Sequence, residues 1–336
     1  MQAEPEPLVV TTGRGLYCPP GDFYIDPWQP VQTAVITHAH GDHLHQGNAR
    51  YILARPGAAI AAARLPQTAN LLPIDYGTAL TLGATRVSLH PAGHILGSAQ
   101  VRIEHAGRVW VVSGDYKRQP DRTCAAFEPV GCEVFISEAT FALPVYRWPP
   151  TGQVIEEIAR WWRINRDRGI ASVLFCYALG KAQRILSELA ELAELGAEPV
   201  HLHGAMLRLT QIYRDAGVPL LPTLPATIES RQDYRGALIL APPSAAGSSW
   251  MRRFGEHSSA FCSGWMRVRA ERRRRGYDRG FVLSDHADWP ALLQTCRQSG
   301  ARRVLLTHGH ADALTRFLCE QGFESGAVAT PFGGAD

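Results

Sequence analysis

The segment Thr37-His38-Ala39-His40-Gly41-Asp42-His43 packs three imidazoles and a carboxylate into one short stretch. On an extended backbone, His38 and His40 point the same way, because successive side chains alternate in direction. Beyond the turn, the Asp42-His43 pair can face a second point nearby. Imidazole and carboxylate donors together suit zinc, manganese or iron and do not choose among them. A buried cluster of this kind without metal would leave polar groups unpaired at substantial cost. Four further groups are candidates. His94 lies among small residues in Pro91-Ala92-Gly93-His94-Ile95-Leu96-Gly97-Ser98, where backbone can approach a ligand closely. Asp115 follows Ser113-Gly114, His286 lies in Leu283-Ser284-Asp285-His286-Ala287-Asp288, and His308 in Leu306-Thr307-His308-Gly309-His310. Alone, His94 would more often be a satisfied structural histidine and Asp115 a turn residue, and His286 and His308 are weak evidence; beside the first cluster that weighting reverses for His94 and Asp115.

These groups need rigid elements to aim them. Ala34-Val35-Ile36-Thr37 is a short β-rich run ending at His38. Val109–Ser113 does the same before Gly114-Asp115, Val134–Ser137 before Glu138, and Val304–Thr307 before His308. Continuous apolar runs predict a sheet covered on both faces, with active groups at the strand ends. The middle of the chain alternates differently. Helical spacing over Gln153–Arg168 is followed by a strand at Val173–Phe175 and an amphipathic helix over Lys181–Leu195. A strand at Pro199–His203 and a helix near Leu207–Asp215 come next. This alternation predicts a small parallel α/β unit, entered through the Pro-rich stretch Leu143–Pro150. Trp161 and Trp162 pack inside its first helix, and His201 and His203 are structural.

Composition sets the outer limits. The chain has 336 residues, 46% of them hydrophobic, enough for real cores and too many for disorder. The formal net charge is only +3, which excludes a uniformly basic coat for nucleic acid. Any such surface must be local, and Arg267, Arg269, Arg272, Arg273, Arg274, Arg275 and Arg279 offer one. That run suits a solvated face or loop as well as a phosphate track. The seven cysteines are odd in number, scattered and never arranged as CxxC, which argues against a disulfide framework or zinc ribbon. With no secretory leader and no apolar stretch near the roughly 20 residues that span a bilayer, the expected location is the cytoplasm, with no membrane partner.

The order HxHxDH, Gly-His, Gly-Asp resembles the ligand order of the metallo-β-lactamase superfamily. The finer detail is similar to its β-CASP branch, which contains nucleases acting on DNA or RNA. Ala92–Ala99 looks like the branch's AGHxLGxA signature, Ser137-Glu138-Ala139-Thr140 like its first extra motif, and Ser284–Asp288 like the second, SxHxD. Thr307-His308-Gly309-His310 matches the third, and Phe175–Gln183 resembles the FALGRAQ helix start of the inserted domain. Within the branch, Ser113–Arg118, Ala241-Pro242-Pro243-Ser244 and the compact length are most similar to bacterial ligase-associated DNA exonucleases. Asp285 is a departure, standing where relatives usually carry a small residue.

The resemblance implies an α/β fold: an αββα sandwich over residues 1–148 and 277–336, with a β-CASP domain inserted at 149–276. It implies two divalent metal ions, zinc or manganese. His38, His40 and His94 would hold the first, Asp42, His43 and His308 the second, and Asp115 would bridge them. It makes Asp42, His286 and Glu138 catalytic, with His286 protonating the leaving oxygen and Glu138 orienting His286. Asp26 would brace the His-rich loop. Lys181 and Ser244, with Arg272, Arg273 and Arg274, are candidates for touching nucleic acid, against helix-start, turn and solvated-face roles. The chemistry suits such a site: two metals roughly 3.5–4 Å apart can hold one water and bind a phosphate oxygen. A histidine near its ordinary pKa can then protonate the leaving group. The implied activity is metal-dependent DNA exonuclease action in repair on single-stranded DNA, alongside a DNA ligase and helicase, leaving a 5′-phosphate. An RNA-processing nuclease and a small-molecule metallo-hydrolase are the alternatives.

Overall fold

The computed structural model describes residues 6–192, 198–226, 234–268, 276–309 and 311–328. The chain divides into two compact units. One comprises Met1–Pro120, Cys124–Pro144 and His286–Asp336; the other comprises Asp121–Thr123 and Val145–Asp285.

The first unit carries two sheets. One runs in chain order through β1 (Val10–Thr12), β2 (Gly15–Cys18), β3 (Phe23–Ile25), β4 (Ala34–Val35), β5 (Tyr51–Ala54) and β6 (Leu71–Ile74). The helix α1 (Ala58–Arg64) lies between β5 and β6 in the chain. The other sheet uses β7 (Ala79–Leu82), β8 (Thr85–Pro91), β9 (Ala99–His105), β10 (Arg108–Val112) and β11 (Val134–Glu138). It is completed by β18 (Arg303–Thr307) and β19 (Glu324–Ala327), in the order β19-β18-β11-β10-β9-β8-β7. Its β7–β10 half is an antiparallel meander, and β10, β11, β18 and β19 are parallel.

Sequence pattern explains both halves. In β9, Val101 and Ile103 are buried while Arg102 and Glu104 are not, the alternation of a strand with one wet face. In β10 and β11 every second residue enters a different core. Trp110, Val112 and Ile136 join Ile25, Val35 and Ile52 of the facing sheet. Val111 and Phe135 pack with Trp289, Leu292, Leu314 and Leu318 on the opposite side. Those last residues come from α5 (Trp289–Gln298) and α6 (Ala311–Glu320). The α5 helix starts on Asp288, whose carboxylate accepts from Ala291 N at 3.1 Å, a favoured N-cap.

The second unit is the parallel α/β element that the alternation of patterns predicts. Its six-stranded sheet has the order β14-β13-β15-β12-β16-β17 and is parallel throughout. The strands are β12 (Ala171–Phe175), β13 (Val200–Leu202), β14 (Thr223–Pro225), β15 (Leu238–Ala241), β16 (His257–Cys262) and β17 (Arg279–Phe281). The helices are α2 (Thr151–Asp167), α3 (Lys181–Ala190) and α4 (Gly204–Asp215). This unit runs on to Asp285, past Gly276, because β17 pairs with β16 and belongs to its sheet. Trp161 and Trp162 are buried and donate to Ser258 Oγ and Gly236 O, so they pack the helix as the sequence predicts. His203 caps α4, its Nδ1 accepting from Ala205 N at 3.1 Å.

A buried ionic network lies within this unit. Lys181 Nζ is 2.8 Å from Asp285 Oδ1, and Arg184 Nη1 is 3.2 Å from the same oxygen. Arg184 Nη1 also donates to Ser284 O at 2.6 Å, Nη2 to Thr151 Oγ1 at 2.8 Å, and Nε lies 3.6 Å from Asp121 Oδ2. Burial works against the charge of the Arg184 guanidinium, but Asp121 and Asp285 outweigh it. Lys181 shares one carboxylate and feels Arg184, so burial leaves its ammonium below the ordinary lysine value. The carboxylate of Asp285 therefore faces two buried cations.

Candidate metal centre

Asp26 organises the His-rich loop. It sits in the left-handed region at φ 43°, a conformation that side-chain-bearing residues seldom adopt. Its carboxylate accepts from Thr37 N at 2.8 Å and Thr37 Oγ1 at 2.5 Å, and faces His43 Nδ1 at 2.7 Å. This is the bracing role expected of Asp26. A proton on His43 Nδ1 fixes the ring so that Nε2 points away from Asp26. That Nε2 is buried without a hydrogen-bond partner, as suits a nitrogen that binds a cation.

The other donors converge on the same place. His38 Nε2 and His94 Nε2 lie 3.0 and 3.1 Å from His40 Nδ1. A neutral ring nitrogen without a proton offers a single lone pair, so His40 Nδ1 cannot satisfy both neighbours well. One oxygen of Asp115 is central. Its Oδ2 lies 3.4 Å from His38 Nε2, 3.5 Å from His43 Nε2 and 3.7 Å from His94 Nε2. Tetrahedral ligation with bonds of roughly 2.0–2.1 Å places donor atoms about 3.3 Å apart, close to these separations. His38, His40, His94 and Asp115 offer donor atoms all within 4.8 Å of one another, a group that can hold a metal ion. The residues present therefore fit a divalent cation by both chemistry and spacing.

Asp42 and His308 stand at the edge of this cluster. Asp42 Oδ2 is 3.6 Å from His43 Nε2, with 43% of the side chain exposed, so it faces both the cluster and solvent. The His308 ring centroid is 5.4 Å from that of His43. Among the described residues, Asp42, His43 and His308 do not form a further tight metal group at the spacing of the first. His308 holds φ 58° and is followed by Gly309, where an added Cβ would meet Ala139 O at 2.3 Å. The His308 turn therefore lies directly on the end of β11.

Glycines make the close approaches possible elsewhere. A Cβ on Gly93 would meet Lys117 O at 2.5 Å, and one on Gly114 would meet Thr37 Cβ at 2.6 Å. Both have positive φ, so the loops carrying His94 and Asp115 depend on the missing side chains. Ser98 holds the His94 turn through its Oγ, which accepts from His94 N and Ile95 N at 3.0 and 3.2 Å.

A second arrangement borders the first. Glu138 is buried at the end of β11. Its Oε1 accepts from Tyr116 N at 2.7 Å and its Oε2 faces His286 Nδ1 at 2.9 Å. His286 Nδ1 is also 4.0 Å from Asp115 Oδ2. Asp115, Glu138 and His286 meet the same spacing criterion for metal binding, so both groups share Asp115.

Electrostatics separates the histidines. Burial holds His38 well below the ordinary imidazole value, His43 and the other rings adding to the effect over the opposing pull of Asp115. His43 is also penalised by burial, but Asp115 and Asp26 outweigh this and raise it well above the ordinary value. Asp115 behaves reciprocally. Burial would raise it, yet the His43, His286 and His38 rings hold it well below the usual carboxylate range.

The remaining expected site residues lie elsewhere. Lys181 is 2% exposed and its ammonium is engaged by Asp285, so a phosphate could reach it only by displacing that carboxylate. Ser244 is exposed in the short turn Pro243–Ala245. Arg272, Arg273 and Arg274 lie outside the described residues, as does His310. Sequence reasoning missed Thr37 as the hub between Asp26 and His38, and Tyr116 as the backbone donor to Glu138. Both adjoin ligand motifs, which was the signal available.

No protein-family model matches the chain. It is 35% identical over 327 residues to a protein of Opitutus terrae called a probable DNA ligase, covering 96% of this chain and 31% of that protein. Endoribonuclease YSH1 of Gibberella zeae is 34% identical over 121 residues, 35% of this chain and 14% of that protein. Endoribonuclease YSH1 of Saccharomyces cerevisiae is 31% identical over 120 residues, 35% of this chain and 15% of that protein. The chain thus spans about a third of the first relative's length and about a seventh of the others'. A solved protein of unknown function from Enterococcus faecalis V583 shares the fold with a TM-score of 0.58 at 13% identity. The match covers 90% of this chain and 80% of that one. No helix among the described residues is long and apolar enough to cross a membrane, and no disulfide joins the described cysteines.

Proposed function

We propose that this chain is a metal-dependent phosphodiesterase of the metallo-β-lactamase superfamily's β-CASP branch, a DNA exonuclease acting in cytoplasmic DNA repair. The observation that carries the reading is the shared position of Asp115. One of its oxygens faces His38, His43 and His94, with the Glu138–His286 pair alongside. Likeness over nearly the whole chain to a protein called a probable DNA ligase supports action beside a ligase, and a helicase would be a further partner in the same pathway.

In this reading His38, His40 and His94 would hold one divalent ion, Asp42, His43 and His308 would hold a second, and Asp115 would serve both. When bound, the ions would acidify a water and neutralise charge on the phosphate. The chain's own groups do the rest. Asp26 keeps the His43 ring turned so that Nε2 is presented. Glu138 holds a proton on His286 Nδ1 and favours the charged ring. As water oxygen bonds to phosphorus and the P–O bond to the leaving group breaks, His286 Nε2 gives its proton to the departing alkoxide. Ser244 and the arginines at 272, 273 and 274 would contribute phosphate contacts.

The endoribonuclease relatives favour RNA as the second reading, since the same site serves either polymer. One experiment tests both. Metal-stripped protein is given zinc, manganese or magnesium singly, with 5′- and 3′-labelled single-stranded DNA and RNA. Metal-restored loss of DNA alone is expected, and the label released first gives the polarity. Cleavage of RNA alone would transfer the reading to RNA, and inertness towards both with every metal would overturn it.

A further inference from the structure

The helix α1 carries a cation to the metal-binding loop. Its start is fixed by backbone contact: Gly97, in the turn after His94, has φ 81°, and a Cβ there would lie 2.1 Å from Gly57 N. Gly57 immediately precedes α1, so the helix is docked on the His94 turn with no side chain intervening. Its last turn ends in Arg64. The Arg64 Nη2 lies 3.3 Å from where a Cβ on Gly41 would be, and Gly41 stands between His40 and Asp42. Thus one end of α1 touches the His94 turn and the other lays a guanidinium over the His-rich loop.

That guanidinium is available. Arg64 is exposed, and it makes no ion pair or hydrogen bond among the described residues, although the partly exposed carboxylate of Asp42 is next to Gly41 in the chain. Arginine is always charged and its planar fork matches phosphate oxygens. A nucleic-acid strand brings regularly spaced phosphates, so the one beside the scissile phosphate also needs a counter-charge. Resting on the proposed phosphodiesterase reading, we infer that Arg64 is a substrate-binding residue that clamps the backbone phosphate adjacent to the one cut at the metal centre.

The test compares wild type with Arg64→Ala and Arg64→Lys on a single-stranded oligonucleotide and on bis(p-nitrophenyl) phosphate, which has no neighbouring phosphate. Rates and anisotropy binding are read over about 50–200 mM salt. For Arg64→Ala, KM on the oligonucleotide should rise about tenfold, and the slope of log affinity against log salt should fall by about one. The kcat and the small diester should be unaffected. Arg64→Lys should fall between, keeping charge without the fork. Unchanged KM and salt slope would overturn the inference, as would equal loss on both substrates, which would put Arg64 at the reacting phosphate instead. A wild type that cuts the small diester but neither binds nor cuts the oligonucleotide would also overturn it. A wild type inert on both substrates with metal loaded would sink the phosphodiesterase reading itself.

Discussion

Each unit buries a cluster of charge, and the two clusters are built on opposite principles. Around Arg184 the second unit brings together two cations and two carboxylates, with Ser284 O and Thr151 Oγ1 completing the set. Opposite charges meet there, two cations against two carboxylates, although Lys181 Nζ and Arg184 Nε are held by ion pairing without a hydrogen bond. Around Asp115 the first unit brings together imidazole nitrogens and carboxylate oxygens at the spacing of metal ligands. Its groups share few protons, and His43 Nε2 has no hydrogen-bond partner. A buried network whose charges offset one another within the protein serves as scaffold, whereas a cluster of ring nitrogens and carboxylates suited to a cation from outside marks a site.

The metal-centre cluster should be the more sensitive of the two to substitution. Asp42→Ala and His43→Ala should abolish cleavage, a loss on the order of 10³-fold or more, while the circular dichroism spectrum stays that of wild type. Appreciable turnover by either purified variant would remove the distinction. The Arg184 network should respond in stability instead of activity. Arg184→Ala leaves Asp285 and Asp121 short of a buried cation and should cost about 3–5 kcal/mol of stability, read from urea unfolding. A variant as stable as wild type would show the network to be idle.

Protons sharpen the contrast at smaller scale. In the metal-free protein the raised value of His43 stabilises the fold fully below about pH 6.5, and this contribution fades as pH rises through the raised value. A proton on Nε2 and a metal ion compete for one atom, so binding must release it. Metal affinity should therefore increase about tenfold per pH unit above roughly 6.5 until His43 is neutral, with matching proton release in calorimetry across buffers. His38, already held neutral, should release none there. Affinity flat with pH would contradict the assignment of His43 Nε2 as a ligand atom.

Much of this was legible in the sequence, for definable reasons. The His38–His43 cluster and the strand ends that carry Asp115, Glu138 and His308 announce themselves, because ligand chemistry requires particular residue types after apolar runs. The parallel sheet of the second unit follows from strand and helix periods alternating from Gln153 to Asp215. What stayed hidden depended on long-range partners. Arginine is ordinarily a surface residue, so nothing local marks Arg184 as buried. Nor does sequence show that β17 pairs with β16, which carries the second unit on to Asp285, or that Gly57 meets Gly97 and so aims Arg64.

The pairing of β11 with β18, register Glu138 to Thr307, also has a cost in time during synthesis. The strand β11 is buried along its whole length in the finished fold, yet its partner is made only after the entire second unit. At about 5–20 residues per second, its sticky edge waits on the order of ten to thirty seconds on the ribosome. Slowed translation or scarce chaperones should therefore cause aggregation of nascent chains before they impair the completed protein.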